Sequence, residues 1–537
     1  MSVLLVNGPW ITSKKSYIAQ ANEPLHLLSM AAVLEQQGID CSVVDFLLDP
    51  YSEDSLVSHL KETRPRIVGV SSYTTNFFMN LDIARAVKRY DRSIHVVFGG
   101  AHPSALPEHV LGQECVDSVC VGEGERTMVE LCEAVEGKRD MASVDGLWWK
   151  DQGRAVVNAD REPIENLDEL PIPARHKIPM ERYYYGYWGR NCSLMMAGRG
   201  CPYRCVFCAS RSVFQTTRFH SPKYVVDEIE HVQSTYGRTA FMFNDDTFTL
   251  KDKWINAFLD ELERRELNII WKCYSRVNRV DRSMLERMHR TGCRAMSYGL
   301  ESGSDEMLKK IRKQIDKDGV REAIQWCSEI GIEATGSFVF GFPWDTRETM
   351  RETIQFALEL PLTRTFCNIA TPYPKTGLWD WAISKGISEE KLYAFDSYLQ
   401  GFGDFLAEGL EKIFTFELEN VSRSDVIAAC KYTFIHTHSR YALREWLHPL
   451  RTLRRFFRSL FVERMGVKDS LRASLTSTKI FVYFVFRSFL RRKGLKAKAV
   501  YIREFLKILF TPLSKVFPDE KQKGQKPSES PAAGTSS

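Results

Sequence analysis

The stretch Gly200-Cys201-Pro202-Tyr203-Arg204-Cys205-Val206-Phe207-Cys208 decides how the rest of the chain is interpreted. It spaces three thiols with three and then two residues between them. A loop of this spacing can turn three sulfurs toward one metal centre and leave a coordination position open, as catalytic metal sites require. A [4Fe–4S] cluster normally takes four thiolates, so three would leave one iron free for another ligand. A structural zinc site with a distant fourth ligand is the alternative.

Short apolar strands alternate with amphipathic helices around and after this triplet. Strands are predicted at 194–198, 239–243, 268–274, 294–300, 333–340 and 365–371, and helices at 222–236, 252–265, 282–291, 317–330 and 346–359. Six strand–helix units in series predict a partial parallel (β/α)6 barrel. The functional site is expected at the carboxyl ends of the strands, where the triplet follows the first strand.

Residues 1–135 show a second strand–helix alternation. Strands are predicted at 3–6, 42–45, 67–71, 95–98 and 118–121, and helices at 22–37, 75–90 and 124–136. Continuously apolar strands predict a doubly wound, parallel α/β sheet of flavodoxin or Rossmann type. Ligands bind beyond the carboxyl ends of such strands. Small-residue turns fall there: Asn7-Gly8-Pro9, Ser71-Ser72-Tyr73, Gly99-Gly100-Ala101-His102 and Gly122-Glu123-Gly124-Glu125.

These patterns divide the 537 residues into five predicted segments. Residues 1–140 form a ligand-binding domain, 141–190 a connector with a hairpin, and 191–385 the barrel domain. Residues 386–515 are predicted to be mainly helical. The tail 516–537 is rich in Lys, Gln, Ser, Pro and Gly and is predicted to be disordered.

Thirteen cysteines are scattered through the chain, an odd number that does not suggest a disulfide framework. The start of the chain lacks the charged region and cleavage site of a secretory signal. A reducing, cytoplasmic compartment is therefore expected, where clustered cysteines more often bind metal. No apolar segment is long enough to span a bilayer; the best candidate, 480–486, is stopped by Arg487.

The triplet, its place after the first barrel strand and the aromatic Phe207 before its last cysteine resemble the radical S-adenosylmethionine (SAM) superfamily. The resemblance implies that Cys201, Cys205 and Cys208 hold a [4Fe–4S] cluster whose open iron binds SAM. Reduction would then cleave SAM to methionine and a 5′-deoxyadenosyl radical. The SAM-binding residues that the resemblance implies at successive strand ends are Phe207, Asp245, Asp246, Glu301, Ser302, Gly336 and Gly341.

Two of these interpretations have a plain structural alternative. Asn244-Asp245-Asp246 could instead cap the helix that begins near 251. Arg276, after the third strand, could face SAM or form a surface ion pair.

The N-terminal domain and its connector resemble the cobalamin-binding domain found in cobalamin-dependent radical SAM enzymes. The resemblance implies cobalamin contacts from Asn7, Gly8, Ser71, Ser72, Gly99, Gly100, Gly122, Glu123 and Gly124. Many such domains carry Asp-x-His-x-x-Gly after the first strand, with the histidine on cobalt. Here residues 7–12 contain no histidine, so the lower axial ligand is left open. His109 mimics the spacing at the wrong place, and His102 is interpreted as a turn residue. A flavodoxin-like domain that binds no cobalamin is the alternative.

The charge of the chain is concentrated in one region. The formal net charge is +5, yet residues 440–515 contain nineteen Lys and Arg and four Asp and Glu. Aromatic and leucine residues alternate with these cations, a pattern typical of a helix that lies on an anionic membrane surface. Packed helices with solvated basic faces are the second interpretation. Nucleic-acid binding is a third that no recognition motif supports.

The resemblance to cobalamin-dependent radical SAM enzymes implies an enzyme that methylates an unactivated carbon, on a small-molecule or lipid substrate. The resemblance implies that methylcobalamin delivers the methyl group to a substrate radical, and that an external reductant of flavodoxin or ferredoxin type reduces the cluster. A non-methylating cyclase, as in the magnesium-protoporphyrin ester cyclase branch, is the second hypothesis. A cobalamin or iron–sulfur sensor without turnover is a third, of a different class.

Overall fold

The computed structural model describes residues 1–9, 21–185, 188–393, 418–446 and 506–517. Most of the basic region 440–515 and nearly all of the tail 516–537 lie outside these residues. Of these two segments, residues 440–446 and 506–517 are described, and the predictions made for the remaining residues meet no structural observation.

The first sheet is mixed and has seven strands in the order β2-β1-β3-β4-β5-β6-β7. Five strands are parallel: β1 Ser2–Asn7, β2 Asp40–Asp45, β3 Ile67–Ser71, β4 His95–Gly99 and β5 Ser118–Cys120. Two antiparallel strands, β6 Leu147–Asp151 and β7 Arg154–Val157, extend it beyond β5. The hairpin predicted in the connector thus continues the N-terminal sheet.

Helices cover both faces of this sheet, which confirms the doubly wound prediction. They are α1 Leu25–Gln36, α2 Glu53–Thr63, α3 Phe77–Tyr90, α4 Ala101–Ala105, α5 Pro107–Leu111 and α6 Glu125–Val135. One core includes residues of α2, α3 and α5, and a second, on the opposite face, includes residues of α1 and α6. The sequence analysis did not predict α2, which begins where the Ser52 side chain accepts a hydrogen bond from the Ser55 amide.

The second sheet has six parallel strands in sequential order, as the partial barrel requires. The strands are β8 Cys192–Met195, β11 Ala240–Phe243, β12 Ile270–Ser275, β13 Cys293–Glu301, β14 Glu333–Phe340 and β15 Arg364–Ile369. The outer helices are α7 Pro222–Tyr236, α8 Asp252–Arg264, α9 Arg282–Arg290, α10 Asp305–Lys310, α11 Lys317–Ile330, α12 Arg347–Glu359, α13 Gly377–Ser384 and α14 Glu389–Tyr393.

Local chemistry explains why the predicted barrel helices match so closely. The Ser221 side chain accepts a hydrogen bond from the Tyr224 amide and caps α7, and Pro222 occupies its first turn. Gly237 ends the same helix with φ +66°. On β11, Phe241 and Phe243 belong to the large core shared with the outer helices, while the alternate residue Met242 belongs to a separate cluster.

A further helix, α15 Arg423–Trp446, packs against β15 and α12. Its buried residues Val426, Ala429 and Cys430 join the barrel core. The short helix α16, Leu513–Val516, lies beside it, and His436 is 3.0 Å from the Ile508 carbonyl oxygen. Of the helices in the described ranges, none combines the length and the apolar character needed to cross a bilayer.

Candidate active site between the two sheets

The cysteine triplet lies on a loop that is closed by a small antiparallel pair. Strand β9, Gly198–Arg199, pairs with β10, Arg218–Phe219. Gly200 has φ +82°, and a Cβ there would lie 2.4 Å from the Thr216 carbonyl oxygen, so only glycine fits. The loop therefore leaves the first barrel strand at a defined point and returns to it.

The three thiols are accessible to different extents. Cys201 and Cys205 are half-buried and Cys208 is exposed. Although part of Cys208 is open to solvent, desolvation by the protein atoms around its sulfur raises its pKa to about 11, and the neighbouring Asp246 carboxylate adds to this shift. A thiolate ligand must lose this proton, so metal binding here is coupled to proton release.

One segment that the sequence analysis missed supports the cysteine loop. Residues 311–314 follow α10 and pack against the cysteine loop. The Val206 amide donates a hydrogen bond to the Ile311 carbonyl (3.1 Å), and the Cys205 sulfur lies 3.8 Å from the Arg312 carbonyl oxygen. Arg276 is buried, not in a surface ion pair. Its guanidinium lies 3.6 Å from the centre of the Tyr203 ring, and it donates to the carbonyl oxygen of Lys313.

The residues assigned to SAM binding occupy two kinds of position. Asp245 is buried and accepts hydrogen bonds from the amides of Ala197 (3.2 Å) and Gly198 (2.5 Å), just before the cysteine loop. Burial raises its pKa to about 7. Asp246 is exposed and accepts a bond from the Ser210 hydroxyl at 2.5 Å. Neither residue caps α8, where no side chain makes a capping bond.

Three other assigned residues lie near the ends of β13 and β14. Glu301 has φ +63° and forms a buried ion pair with Lys313 (2.9 Å). Phe207 lies 5.6 Å from Phe342, ring centre to ring centre. Gly341, with φ +79°, donates its amide to Asp345, whose pKa burial raises to about 6.

The last two assigned residues are explained by packing. The Ser302 hydroxyl is buried and lies 2.9 Å from the Thr353 hydroxyl. Gly336 lies within β14, where a Cβ would be 2.8 Å from Leu362 and 2.9 Å from Leu300. For these two, SAM contact stays a prediction without local support.

A large cavity lies between the two sheets, with an empty volume of about 1160 Å³ that is partly open to solvent. Its N-terminal wall is formed by the carboxyl ends of β3, β4 and β5 and by α1 and α6. Six of the nine residues assigned to cobalamin line it: Ser71, Gly99, Gly100, Gly122, Glu123 and Gly124. Gly100 has φ +101°, and a Cβ there would lie 2.8 Å from the Ser72 carbonyl oxygen.

The other three assigned residues do not line this cavity. The Asn7 amide donates to Asp45 at 2.8 Å, and Ser72 is fully buried. A Cβ on Gly8 would meet the Asn80 side chain, so close packing explains this glycine. For these three residues, cobalamin contact stays a prediction.

The barrel supplies the opposite wall of the cavity. Met196, Arg199, Val213, Phe214, His220, Tyr224 and Glu228 line it. These residues follow the first barrel strand or lie in α7, and no motif marked them in the sequence. The cavity is thus shared by both sheets, and its barrel wall includes the residue that directly precedes Gly200 and Cys201.

A buried ionic cluster joins the two walls. Arg199 contacts Glu123 (3.0 Å) and Glu125 (2.5 Å), and Arg218 also contacts Glu123. Burial acts to raise the pKa of Glu125, but the Arg199 guanidinium outweighs it and holds this pKa below its usual value. All four side chains are about nine-tenths buried or more. We call them the Arg199 cluster.

A second buried cluster lies further from the cysteine loop. Arg175 contacts Glu23 at 3.3 Å and Glu228 at 2.7 Å, and Ser193 donates to Glu23 at 2.8 Å. These residues come from the segment before α1, from the connector, from β8 and from α7. Two sets of buried charges thus fix how the sheets meet.

Two histidines line the cavity, and they differ in their contacts. Burial lowers the pKa of each to about 4, so both imidazoles are neutral at neutral pH. His220 is 3.2 Å from Asp168 and stacks on Tyr224. His26, in the first turn of α1, has its side chain accessible within the cavity. His102 is buried beside Phe77 and does not line the cavity.

The described residues, the cysteine triplet included, show no side chains already gathered around one metal position. No three His, Cys, Asp or Glu side chains there are arranged around a single-ion site.

Comparison with known proteins gives the same two parts. Residues 17–132 match the B12 binding domain model, and residues 195–357 match the radical SAM superfamily model. An uncharacterised methyltransferase from Pyrococcus horikoshii is 33% identical over 389 residues, which are 72% of this chain and 84% of that protein. The anaerobic magnesium-protoporphyrin IX monomethyl ester cyclase of Rubrivivax gelatinosus is 28% identical, over 71% and 69% of the two chains.

Solved structures share the fold. The radical SAM methyltransferase TsrM from Kitasatospora setae, with cobalamin and a [4Fe–4S] cluster bound, has a TM-score of 0.60 at 21% identity and covers 73% of this chain and 75% of its own. The cobalamin-dependent SAM radical enzyme OxsB, with aqua-cobalamin and SAM bound, has a TM-score of 0.62 at 14% identity and covers 94% and 83%.

Proposed function

Because this chain belongs to the family of radical SAM enzymes that carry a B12 binding domain, we propose that it transfers a methyl group to a carbon atom of its substrate. Membership of the family brings a [4Fe–4S] cluster, SAM and cobalamin as cofactors. What the family leaves open is whether the reaction is methylation or cyclisation.

One observation carries the proposal: the cavity and the cysteine loop share a wall. Arg199 lines the cavity between the sheets, and Cys201 follows two residues later. A corrin held by the glycine turns of the N-terminal sheet would therefore face the same space as the cluster loop. Direct transfer of a group between two cofactors needs this proximity.

The residues present fit both groups. Gly99, Gly100 and Gly122 carry no side chains where β4 and β5 end, which leaves room there for a large planar ring. The cluster would be held by Cys201, Cys205 and Cys208. Arg276 packs against the ring of Tyr203, which belongs to the same loop. When bound, the cluster and SAM supply a 5′-deoxyadenosyl radical, and cobalamin supplies the methyl group.

The protein's own part is to orient the cofactors and to exclude water. The Arg199 cluster holds the cysteine loop against the turn that begins α6. Asp245 holds the start of the loop through two backbone amides. Phe214, Met196 and Leu170 give the cavity an apolar wall, which would protect a reactive intermediate from solvent.

The relative from Pyrococcus horikoshii, 33% identical, is described as a methyltransferase, and this supports methylation. The cyclase relative, 28% identical, keeps a non-methylating cyclisation as the second candidate. The two differ in the products made from SAM.

The decisive measurement is the product balance of the reconstituted enzyme under a strong reductant. Methylation predicts S-adenosylhomocysteine beside 5′-deoxyadenosine, with a methyl group from labelled SAM in the product. Total lipid extract and porphyrin esters are the first substrates to test. Deoxyadenosine alone, with a product that carries no label, would contradict methylation and favour the cyclase. Neither product would favour a sensor.

We further propose that residues 440–515 hold the enzyme against an anionic membrane surface, although most of them lie outside the described residues. The segment has a local net charge of +15, from nineteen cations and four anions. Each cation near an anionic surface contributes about 1 kcal/mol. Binding to anionic vesicles should be strong at low salt and fall as salt rises. Changing Arg454, Arg455 and Arg458 to Glu should weaken it and leave cofactor content unchanged; wild type that stays unbound at low salt would refute the proposal.

A further inference from the structure

His26 occupies an unusual position in the cavity. It lies in the first turn of α1, directly after the segment that leaves β1, and its side chain is accessible within the cavity. Within the described part of the chain it makes no hydrogen bond and no ion pair. Its aromatic neighbour is Tyr73, whose ring lies edge-on at 6.3 Å. A histidine in such a place has both ring nitrogens available to a ligand.

The neighbours of His26 show which part of the cavity it faces. Tyr73 follows the carboxyl end of β3, and the Glu125 carboxylate, which follows β5, is close enough to act on the imidazole. The turns after β3, β4 and β5 include the cavity-lining residues Ser71, Gly99 and Gly122. His26 therefore stands at the strand ends where the glycine turns make room for a planar ring.

The other histidines near this edge are already engaged or lie elsewhere. His220, the second histidine on the cavity wall, contacts Asp168 and stacks on Tyr224 at 4.0 Å. His102 and His109 pack against Phe77 and do not line the cavity. His26 alone combines access to the cavity with free ring nitrogens among the cavity-lining residues that the structure describes.

We propose that His26 supplies a nitrogen ligand to the cobalt of bound cobalamin from the side of the N-terminal sheet. The inference rests on the cobalamin binding in the proposed function, but not on methyl transfer. Cobalt in a corrin has axial positions above and below the ring, and neutral imidazole is a common ligand for metals of this kind. Residues 7–12 contain no histidine that could be the lower axial ligand, and in this proposal His26 of α1 takes that role.

The test is the electron paramagnetic resonance spectrum of the cob(II)alamin-loaded full-length protein. An axial nitrogen splits each cobalt line into three, and nitrogen-15 changes three lines to two. Protein grown with nitrogen-15 histidine and loaded with unlabelled cobalamin should show the two-line pattern. Three lines would mean that the cofactor's own base is the ligand, and unsplit lines would mean no nitrogen ligand; either result overturns the proposal.

The variant His26→Ala identifies the residue. It should lose the two-line splitting, and added imidazole should restore a nitrogen splitting if the variant is folded and loaded. His109→Ala and His220→Gln are the matched controls and should keep the wild-type spectrum. Splitting that survives His26→Ala, or disappears in His220→Gln, assigns the ligand elsewhere. A protein that binds no corrinoid overturns this inference and the cofactor assignment together, whereas a two-line spectrum without methylation overturns only the proposed function.

Discussion

The two parallel sheets end in contrasting ways at the site they share. The first sheet ends in glycine turns, and beyond them lies the cavity between the two sheets. The barrel sheet ends in buried acids that are bound to nearby groups: Asp245 to two backbone amides, Glu301 to Lys313 and Asp345 to the amide of Gly341. The edge of the first sheet leaves room for a ligand, and the edge of the barrel sheet holds the loops that follow its strands.

This difference teaches that the two edges should respond to opposite kinds of change. Added volume should damage the glycine edge, since its role is to leave room for a ring. Lost hydrogen-bond acceptors should damage the barrel edge, because the Asp245 carboxyl accepts hydrogen bonds from two backbone amides at the start of the cysteine loop. The Arg199 cluster connects the edges and should affect both.

The largest effect is expected at the cysteine loop. Cys201→Ala should abolish the cluster and SAM cleavage, because two thiolates cannot replace three, while cobalamin binding at the other edge persists. Iron counting and visible absorbance after anaerobic reconstitution measure this. Cys192→Ala, a buried cysteine outside the triplet, is the control and should retain the cluster. Full iron and deoxyadenosine formation in Cys201→Ala would refute the assignment.

The converse change adds volume to the glycine edge. Gly99→Leu should block corrin binding and leave the iron content unchanged. The position tolerates a side chain locally, since the nearest atom to a Cβ would be 3.8 Å away. Cobalamin retained after gel filtration is the measurement. Gly38→Ala, at φ +69° and with nothing within 4 Å of a Cβ, controls for backbone strain away from the cavity. Normal cobalamin content in Gly99→Leu would place the corrin elsewhere.

A smaller effect, on both cofactor sites at once, is expected when the Arg199 cluster is broken. Arg199→Gln leaves Glu123 and Glu125 buried with less compensation, and breaking a buried pair costs about 3–5 kcal/mol. Urea unfolding should show that loss, and both cofactors should bind less well. Arg126→Gln is the matched control: its pair with Glu169 is half exposed, so it should cost no more than about 1 kcal/mol. Equal losses in the two variants would mean that the Arg199 cluster does not join the sheets.

The fold was predictable because its signals are local. Ser221, Pro222 and Gly237 fix both ends of α7 within the chain segment itself, and the cysteine spacing needs nine consecutive residues. The site was only partly predictable because its contacts are distant. Arg199 meets Glu123 across 76 positions, and neither residue belongs to a motif that names the other.

Residue type alone did not reveal that some of the assigned residues have packing roles. Asn7 and Gly8 follow a strand, as cavity residues do, but they are used to pack against Asp45 and Asn80. His26 lies on a helix that was predicted from its apolar residues, and nothing in that pattern marks which side of the first turn faces a cavity. Only the position of the neighbouring strands reveals it.

The most local expected effect, which is visible only as a pH dependence, tests whether Asp245 organises the loop through its charge. Its pKa is raised from 3.8 to about 7 by burial. In the cluster-free protein the folded state therefore holds a proton that the unfolded state releases, and stability falls as pH rises from about 4 to 7. A shift of about three pKa units corresponds to roughly 4 kcal/mol. Asp245→Asn cannot titrate, so it should lack this loss.

The comparison needs only the difference between the two proteins, since all other titrating groups are common to both. The free energy of unfolding of Asp245→Asn minus that of wild type should increase between pH 4 and pH 7, and then level off. At low pH the two should be similar, because a protonated carboxyl and an amide each offer one good acceptor to the amides of Ala197 and Gly198. A difference that stays constant with pH would mean that Asp245 is already ionised in the folded state, and that its negative charge, not its burial, holds the start of the cysteine loop.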